Sequence, residues 1–505
     1  MGLPGLSFSP SARHEIRVGA ILLAFVLVIN VLFMPRDVWE SWDARAQRME
    51  VASFLENHHL WVTPQAAMSL GEPGQYFVSN PDNGHWYSKY GIINAVMALP
   101  PTLAENLIKG HPSSPSQPSL LIFSAWNIFL SLALAATLFV ITRRYSNSPW
   151  TRAAYVAACL FSTYLWYYQR AQGCGEIFQT LFFALAYECL LRALADEEVI
   201  RPRWLLAAWL FAGLLTLSRV FYGILLPVIG CISLVTLFRR RTAGRSAMLA
   251  AIVPPVAIVA LLGWINTVKF GSPFLTGYHQ WHPAEHLPVG SISTGLFGLL
   301  FTCHWSVFVY FPLLILAIPG LRRFASQYKF DTVAICSMFL TTLLVLAMIP
   351  TWRGERTYGP RYMLFILPIA ALPALEWMRM LFDRRRSTWG WLTPALIAGL
   401  LGFSVWIQFE TSEAPFFFFY EIESPLQGHM DMDLAEYFYD RPEALLWHDL
   451  QEHRDDLDQT MLFQRLSTQH LMTDAELSEY RRRLIAELER RNFRWWPQPP
   501  PIKSN

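Results

Sequence analysis

Charge is what this sequence has least of. Asp, Glu, Lys and Arg make up only 15% of its 505 residues, against about 25% in soluble domains, too few to solvate the surface of an ordinary water-soluble protein of this length. Neither sign dominates: 40 basic against 38 acidic residues leave a formal net charge of +2. No nucleic-acid partner is expected from that balance, because such binding needs a concentrated positive field. Cysteine is also scarce. Cys159, Cys174, Cys189, Cys231, Cys303 and Cys336 form no CxxC pair and no metal-ligand spacing, so neither a zinc module nor a disulfide scaffold is indicated. Most sit in apolar stretches and read as small core residues. Cys174 and Cys303 both fall near outer ends of expected helices, which leaves a single disulfide between them open. Arg13 and Arg17 precede an apolar run, as in a signal peptide, but Met34-Pro35-Arg36-Asp37 offers no small-residue cleavage site. A retained first helix is the expectation.

Apolar residues take the place of charge, at 53% hydrophobic and 15% aromatic. Long runs recur, among them 18–34, 120–142, 204–217 and 332–349, and a bilayer core needs about 20 apolar residues per helix. The expected fold is an all-α polytopic membrane protein of about eleven transmembrane helices. Basic clusters orient them. Arg13/Arg17, Arg143/Arg144/Arg152, Arg201/Arg203, Arg239/Arg240/Arg241/Arg245, Arg322/Arg323/Lys329 and Arg384/Arg385/Arg386 are each separated from the next by two expected helices, so all can face the cytoplasm. Counting 91–108 as a further span would invert every later loop. Pro100-Pro101 should break a helix there, and Lys89 and Glu105 flank it, so an interfacial helix is expected in a first outer loop of about 35–119. The other outer segments are 169–176, 218–219, 266–293 and 351–361. Residues 1–408 form the transmembrane domain; after a last span near 391–407, the polar tail 409–505 reads as a small soluble domain placed outside by the same parity. Within it Thr473 and Glu476 make a capping box leading into Leu477, Tyr480, Leu484, Ile485 and Leu488, which share one helix face.

Ionisable groups near membrane depth are costly and therefore candidates for function. Asp43 follows the first span and is either a helix N-cap or a reactive carboxylate. Lys89 stands among Tyr87, Tyr90 and Trp86 after an Asn83-Gly84 turn, either snorkelling at the interface or meeting a phosphate. Glu176 enters a helix where it can stabilise the dipole, and Arg219 lies alone between apolar runs, near a headgroup or another anion. Arg353, Arg356 and Arg361 crowd one outer segment with Tyr358, although Glu355 can pair with some of them. Arginine binds phosphate oxygens in bidentate fashion, so an anionic substrate is favoured there. His279, His282 and His286 could hold a transition metal, but Pro283 interrupts any helix they would share and their spacing fits no standard zinc pattern.

Taken in order, these segments resemble the GT-C superfamily of membrane glycosyltransferases, and within it bacterial relatives of dolichyl-phosphate-mannose protein mannosyltransferases and aminoarabinose lipid A transferases. The residues that carry the resemblance are Trp42-Asp43, Tyr87-Ser88-Lys89-Tyr90, Gly175-Glu176, Ser218-Arg219, the stretch 266–278 from Asn266 through Lys269 to Tyr278, 295–312, and Tyr358-Gly359-Pro360-Arg361-Tyr362. It covers residues 18–380. Two departures stand out: Gly91 replaces the usual proline after Ser-Lys-Tyr, and Cys303-His304-Trp305 replaces a Gly- or Ser-rich turn.

The resemblance implies a bacterial plasma-membrane enzyme facing the periplasm or cell exterior, an inverting glycosyltransferase that moves a sugar from a polyprenyl-phosphate donor to an acceptor hydroxyl. Under it Asp43 is the catalytic base; Lys89, Arg219, Arg353, Arg356 and Arg361 hold the donor phosphate; Tyr87, Tyr90, Glu176 and Tyr358 bind substrate. No metal ligand is assigned, and a divalent cation stays open because relatives differ in needing one. The implied partners are the lipid-linked donor, membrane lipid, and a glycan, lipid or protein acceptor. A transporter or flippase of a lipid-linked or anionic substrate is the rival, disfavoured because the polar groups gather at one face rather than at the midplane.

Overall fold

The computed structural model describes residues 10–35, 42–70, 76–110, 119–171, 173–195, 200–240, 244–278, 292–302, 306–349, 359–379, 392–411, 449–450, 452–453, 456–468 and 472–490. They divide into two compact units, one running mainly through the first 408 residues and one that contains Phe409–Asn505.

The larger unit is helical. Helix α1 (Pro10–Leu32) is followed by α2 (Trp42–Asn57), α3 (Pro64–Met68) and a hairpin of β1 (Phe77–Ser79) and β2 (Trp86–Ser88). The strands pair antiparallel, with Val78 opposite Tyr87. Gly84 makes the turn at φ +70, the left-handed conformation for which glycine lacks the Cβ penalty. Six helices are long and apolar enough to cross a bilayer among the described residues: Ala12–Leu32, Leu120–Thr142, Glu176–Leu194, Val220–Arg239, Arg245–Phe270 and Lys329–Met348. A bent pair, Arg361–Ala370 with Leu372–Met378, would make a seventh, and shorter apolar helices occupy Pro202–Ser218, Ile292–Phe301 and Pro394–Phe409. The four apolar runs named from the sequence, 18–34, 120–142, 204–217 and 332–349, fall on helices. The described residues do not reach eleven spans on length and apolarity, because several helices are shorter than the roughly 20 residues of a full crossing.

Helix α4 (Ile92–Lys109) corrects one expectation. It runs unbroken through Pro100 and Pro101, although each proline removes a helical donor. Packing compensates: α4 lies against α2 and against α9 (Pro202–Ser218), burying Ile93, Ala95, Ala98 and Pro101, while Leu103, Leu107 and Ile108 stay exposed. This one-sided apolar exposure suits the interfacial helix expected from the sequence.

Helix α5 (Leu120–Thr142) packs against α8 (Glu176–Leu194), the most enclosed of the long apolar helices; α9 and the turn Arg361–Ile366 also pack on α8. Basic ends meet at one end of this bundle. Arg152 reaches Glu15 at 3.0 Å, Arg144 reaches Asp331 at 2.9 Å, Arg323 reaches Glu376 at 3.1 Å, and Arg379 donates to the carbonyl of Tyr145. Three of the expected inner segments, together with Glu376 and Arg379 at the end of the bent pair, are thereby tied by direct contacts. Arg384, Arg385 and Arg386 lie outside the described residues.

In the smaller unit Thr473 Oγ1 accepts from the Glu476 N–H at 3.3 Å and Glu476 Oε2 accepts from the Thr473 N–H at 2.9 Å. This is the reciprocal capping box expected at the start of the helix Asp474–Arg490. That helix stacks Tyr480 on Phe463, centroids 5.8 Å apart, and pairs Arg481 with Asp458.

Candidate active site

At the other end of the larger unit five ionisable residues from separate segments converge. Asp43 sits in the first turn of α2, not at the flanking cap position, so the cap reading does not apply. Its carboxylate is occupied otherwise: the Tyr90 hydroxyl donates to Oδ1, and Arg361 Nη2 donates to Oδ2 at 3.1 Å. Arg361 Nε also lies 3.4 Å from Glu176 Oε1, and Arg219 Nη2 lies 3.8 Å from the same oxygen. Two arginines thus share Glu176 while one reaches Asp43. The Tyr362 ring packs under both guanidinium groups, 4.7 Å from that of Arg219 and 5.4 Å from that of Arg361.

Local sequence explains how each group is held. Gly359 takes φ +66 just ahead of Arg361, and a Cβ there would come within 3.0 Å of Tyr310 and closer still to Tyr164. The Tyr164 hydroxyl donates to the carbonyl of Pro360 at 3.0 Å. Arg361 therefore leaves a turn that only glycine fits. Gly91 has a similar role at the end of the hairpin segment: a Cβ would lie 2.0 Å from the carbonyl oxygen of Leu217 and 2.6 Å from that of Ser218. Proline also carries a Cβ, so this contact accounts for the departure at Gly91. Asn94 completes the seam by donating to the Ser218 carbonyl at 2.6 Å. Gly91→Ala is expected to cost about 1–3 kcal/mol by overpacking and to displace the backbone that carries Arg219; a fall in the thermal midpoint of the purified protein checks this.

Lys89 is 5% exposed, so it does not snorkel. Its Nζ lies 5.6, 5.4 and 5.4 Å from the ring centres of Tyr76, Tyr90 and Tyr278, within the range at which ring faces attract a cation. Burial pushes the Asp43 carboxyl up, but Arg361, Lys89, the Tyr90 hydrogen bond and Arg219 together hold it below the ordinary carboxylate value. Burial and the Asp43 charge push the Tyr90 phenol well above its ordinary value. The shared proton therefore belongs to Tyr90, and Asp43 is ionised.

Among the described residues two guanidinium atoms of this buried cluster make no hydrogen bond: Arg219 Nη1, and Arg361 Nε, which is in ion-pair range of Glu176 only. A buried charged donor without an acceptor is costly, and phosphate oxygens are the natural acceptors for arginine. Among the described residues no three His, Cys, Asp or Glu side chains gather as a metal-holding group.

Of the residues nominated from sequence, Asp43, Lys89, Tyr90, Glu176, Arg219 and Arg361 are brought together. Tyr87 is placed elsewhere: it is buried at the hairpin, and its hydroxyl bonds to Asn83. Arg353, Arg356, Tyr358, the three histidines of 279–286 and Cys303 lie outside the described residues, and with Cys303 so does the disulfide left open to Cys174. Tyr76, Tyr278 and Tyr362 were missed as members. The last two lie in the stretches that carried the resemblance, so their position was a signal, but nothing in their spacing marked them as neighbours of Lys89 and Arg219.

No protein-family model matches the chain, and no curated protein matches it in sequence. Solved structures do resemble it. ArnT from Cupriavidus metallidurans in the apo state superposes with a TM-score of 0.50 at 12% identity, over 94% of this chain and 76% of that one. The same protein bound to undecaprenyl phosphate gives 0.49 at 12% identity, over 94% and 75%. The Archaeoglobus fulgidus oligosaccharyltransferase in complex with Zn and sulfate gives 0.49 at 12% identity, over 83% of this chain and 57% of that one. The likeness to apo ArnT shows that the chain shares that protein's fold.

Proposed function

We propose that the protein is an inverting glycosyltransferase that moves a sugar from a polyprenyl-phosphate donor to an acceptor hydroxyl at the extracytoplasmic face of the bacterial plasma membrane. The observation that carries this is the pairing of an ionised Asp43, held by Tyr90 and Arg361, with the buried guanidinium groups of Arg219 and Arg361, each of which keeps one nitrogen out of any hydrogen bond. Asp43 takes the acceptor proton as that oxygen attacks the anomeric carbon. The bond from that carbon to the phosphate oxygen breaks, its electron pair leaves with polyprenyl phosphate, and the proton stays on Asp43. Lys89, Arg219 and Arg361, joined by Arg353 or Arg356, stabilise the charge gained by the leaving phosphate. A phosphate leaving group needs no general acid, unlike the departing oxygen in glycoside hydrolysis. Glu176 is thus free to hold the two arginines and to meet the acceptor, with Tyr90 and Tyr358 flanking the sugar.

The ArnT-like fold and the gathering of polar groups at the end opposite the basic clusters support this reading over a transporter. Incubating the protein in nanodiscs with a polyprenyl-phosphate sugar labelled in the sugar, plus membrane extract, tests it. Label is expected to pass to a non-donor product with inverted anomeric configuration; label that stays wholly in the donor overturns the reading.

The pH profile follows from Asp43. A carboxylate depressed in the folded state is fully ionised above the ordinary value of about 3.9 and loses its charge only as pH falls through the lower folded value. The acid side of kcat/KM is therefore expected to be flat from about pH 7 to about pH 5. An acid limb with its midpoint inside that window would point to another base.

A further inference from the structure

Beside the site lies a second buried ion pair that the mechanism leaves unused. Lys269, near the end of α11 (Arg245–Phe270), places Nζ 3.0 Å from Glu50 Oε1 and donates to the Tyr90 carbonyl at 2.9 Å. Glu50 Oε1 also accepts from the Ser88 N–H at 2.9 Å. The side chains of Lys269 and Glu50 are 3% and 1% exposed, and Glu50 Oε2 accepts no hydrogen bond. Glu50 follows Asp43 by seven residues on α2, about two turns, so both carboxylates project from the same face. The pair thus joins the helix of Asp43, the backbone on either side of Lys89, and α11.

Stability alone is a poor reason for such an arrangement. A buried ion pair can often be replaced by apolar side chains of similar volume with no loss, or with a gain, and an unbonded buried carboxylate oxygen adds a further cost. What the pair supplies is position. Ser88 N–H and Tyr90 C=O flank Lys89, and the same Tyr90 donates its hydroxyl to Asp43.

We propose that Glu50 and Lys269 are positioning residues, fixing the segment Ser88-Lys89-Tyr90 so that the Tyr90 hydroxyl stays on Asp43 and the Lys89 ammonium stays among its tyrosines. The catalytic consequence rests on the function proposed above; the geometric claim does not.

The test uses the full-length protein in nanodiscs with a fluorinated tyrosine at position 90, followed by fluorine NMR, in the wild type and in the double variant Glu50→Leu/Lys269→Met. The double variant is expected to keep or raise the thermal midpoint. Its position-90 resonance is expected to move, and its phenol to ionise closer to the free amino acid than in the wild type. Glu50→Gln keeps the shape and the acceptor for Ser88 but drops the charge that holds Lys269; it is expected to show the same change in smaller degree and decides the matter if the double variant does not fold. Where transfer is measured, kcat should fall about tenfold or more with the donor KM nearly unchanged. A wild-type resonance and ionisation in these variants overturns the positioning role. Failure of the wild type to release polyprenyl phosphate would sink the proposed function while leaving the fluorine result to decide this one.

Discussion

Asp43→Asn is expected to lower kcat by about a thousandfold or more, within the range that loss of a general base produces, while donor binding stays nearly intact. The substitution is isosteric and can still accept the Tyr90 hydroxyl, but it removes the charge that meets Arg361 at 3.1 Å and with it the basicity needed to take the acceptor proton. Removing that charge also removes a competitor for Arg361, so a phosphate diester should bind no worse and the donor KM should hold or fall. Initial rates across donor concentration, together with direct donor binding, separate these outcomes. Retention of more than about a tenth of wild-type kcat would assign the proton transfer to another group.

Arg361→Lys is expected to act on both binding and rate. Arg361 reaches Asp43 Oδ2 at 3.1 Å and Glu176 Oε1 at 3.4 Å at once and packs on Tyr362. A lysine ammonium is a compact point charge without the planar fork, so it cannot span both carboxylates and stack as well. Loss of a preorganised donor at a developing charge costs about a hundred- to a thousandfold in rate, and the donor KM should rise because the phosphate loses an arginine. The contrast with Asp43→Asn is the informative part: one variant should lose kcat alone, the other kcat and KM together.

Much of the fold could be read from the sequence, because a run of some twenty apolar residues is a local signal. The helices Leu120–Thr142, Pro202–Ser218 and Lys329–Met348 fall where the runs lie. The capping box at Thr473 was legible for the same reason. Pro100-Pro101 misled because the packing of α4 on α2 and α9 is long-range, and a helix held on one face tolerates donors lost within it. At the site, residue type singled out Asp43, Lys89, Glu176, Arg219 and Arg361, which the fold brings together, since charges beside apolar runs need partners. Which partner each finds was not legible. Asp43 and Arg361 are 318 positions apart, and no periodicity connects them. Tyr87 and Tyr90 looked equivalent in sequence, yet the hairpin turns Tyr87 toward Asn83 while Tyr90, beyond the strand, reaches Asp43. Glu50 went unremarked and Lys269 stood only within the stretch 266–278, because buried pairing is invisible until the chain is folded.

The most direct measurement is release of free polyprenyl phosphate by the wild type in nanodiscs, from a panel of polyprenyl-phosphate sugars with membrane extract as acceptor and Asp43→Asn as control. Time-dependent release by the wild type, with none above background from the variant, is the result expected of a transferase whose base is Asp43. Donor binding without any Asp43-dependent release would contradict it and would favour a transporter of the lipid-linked sugar.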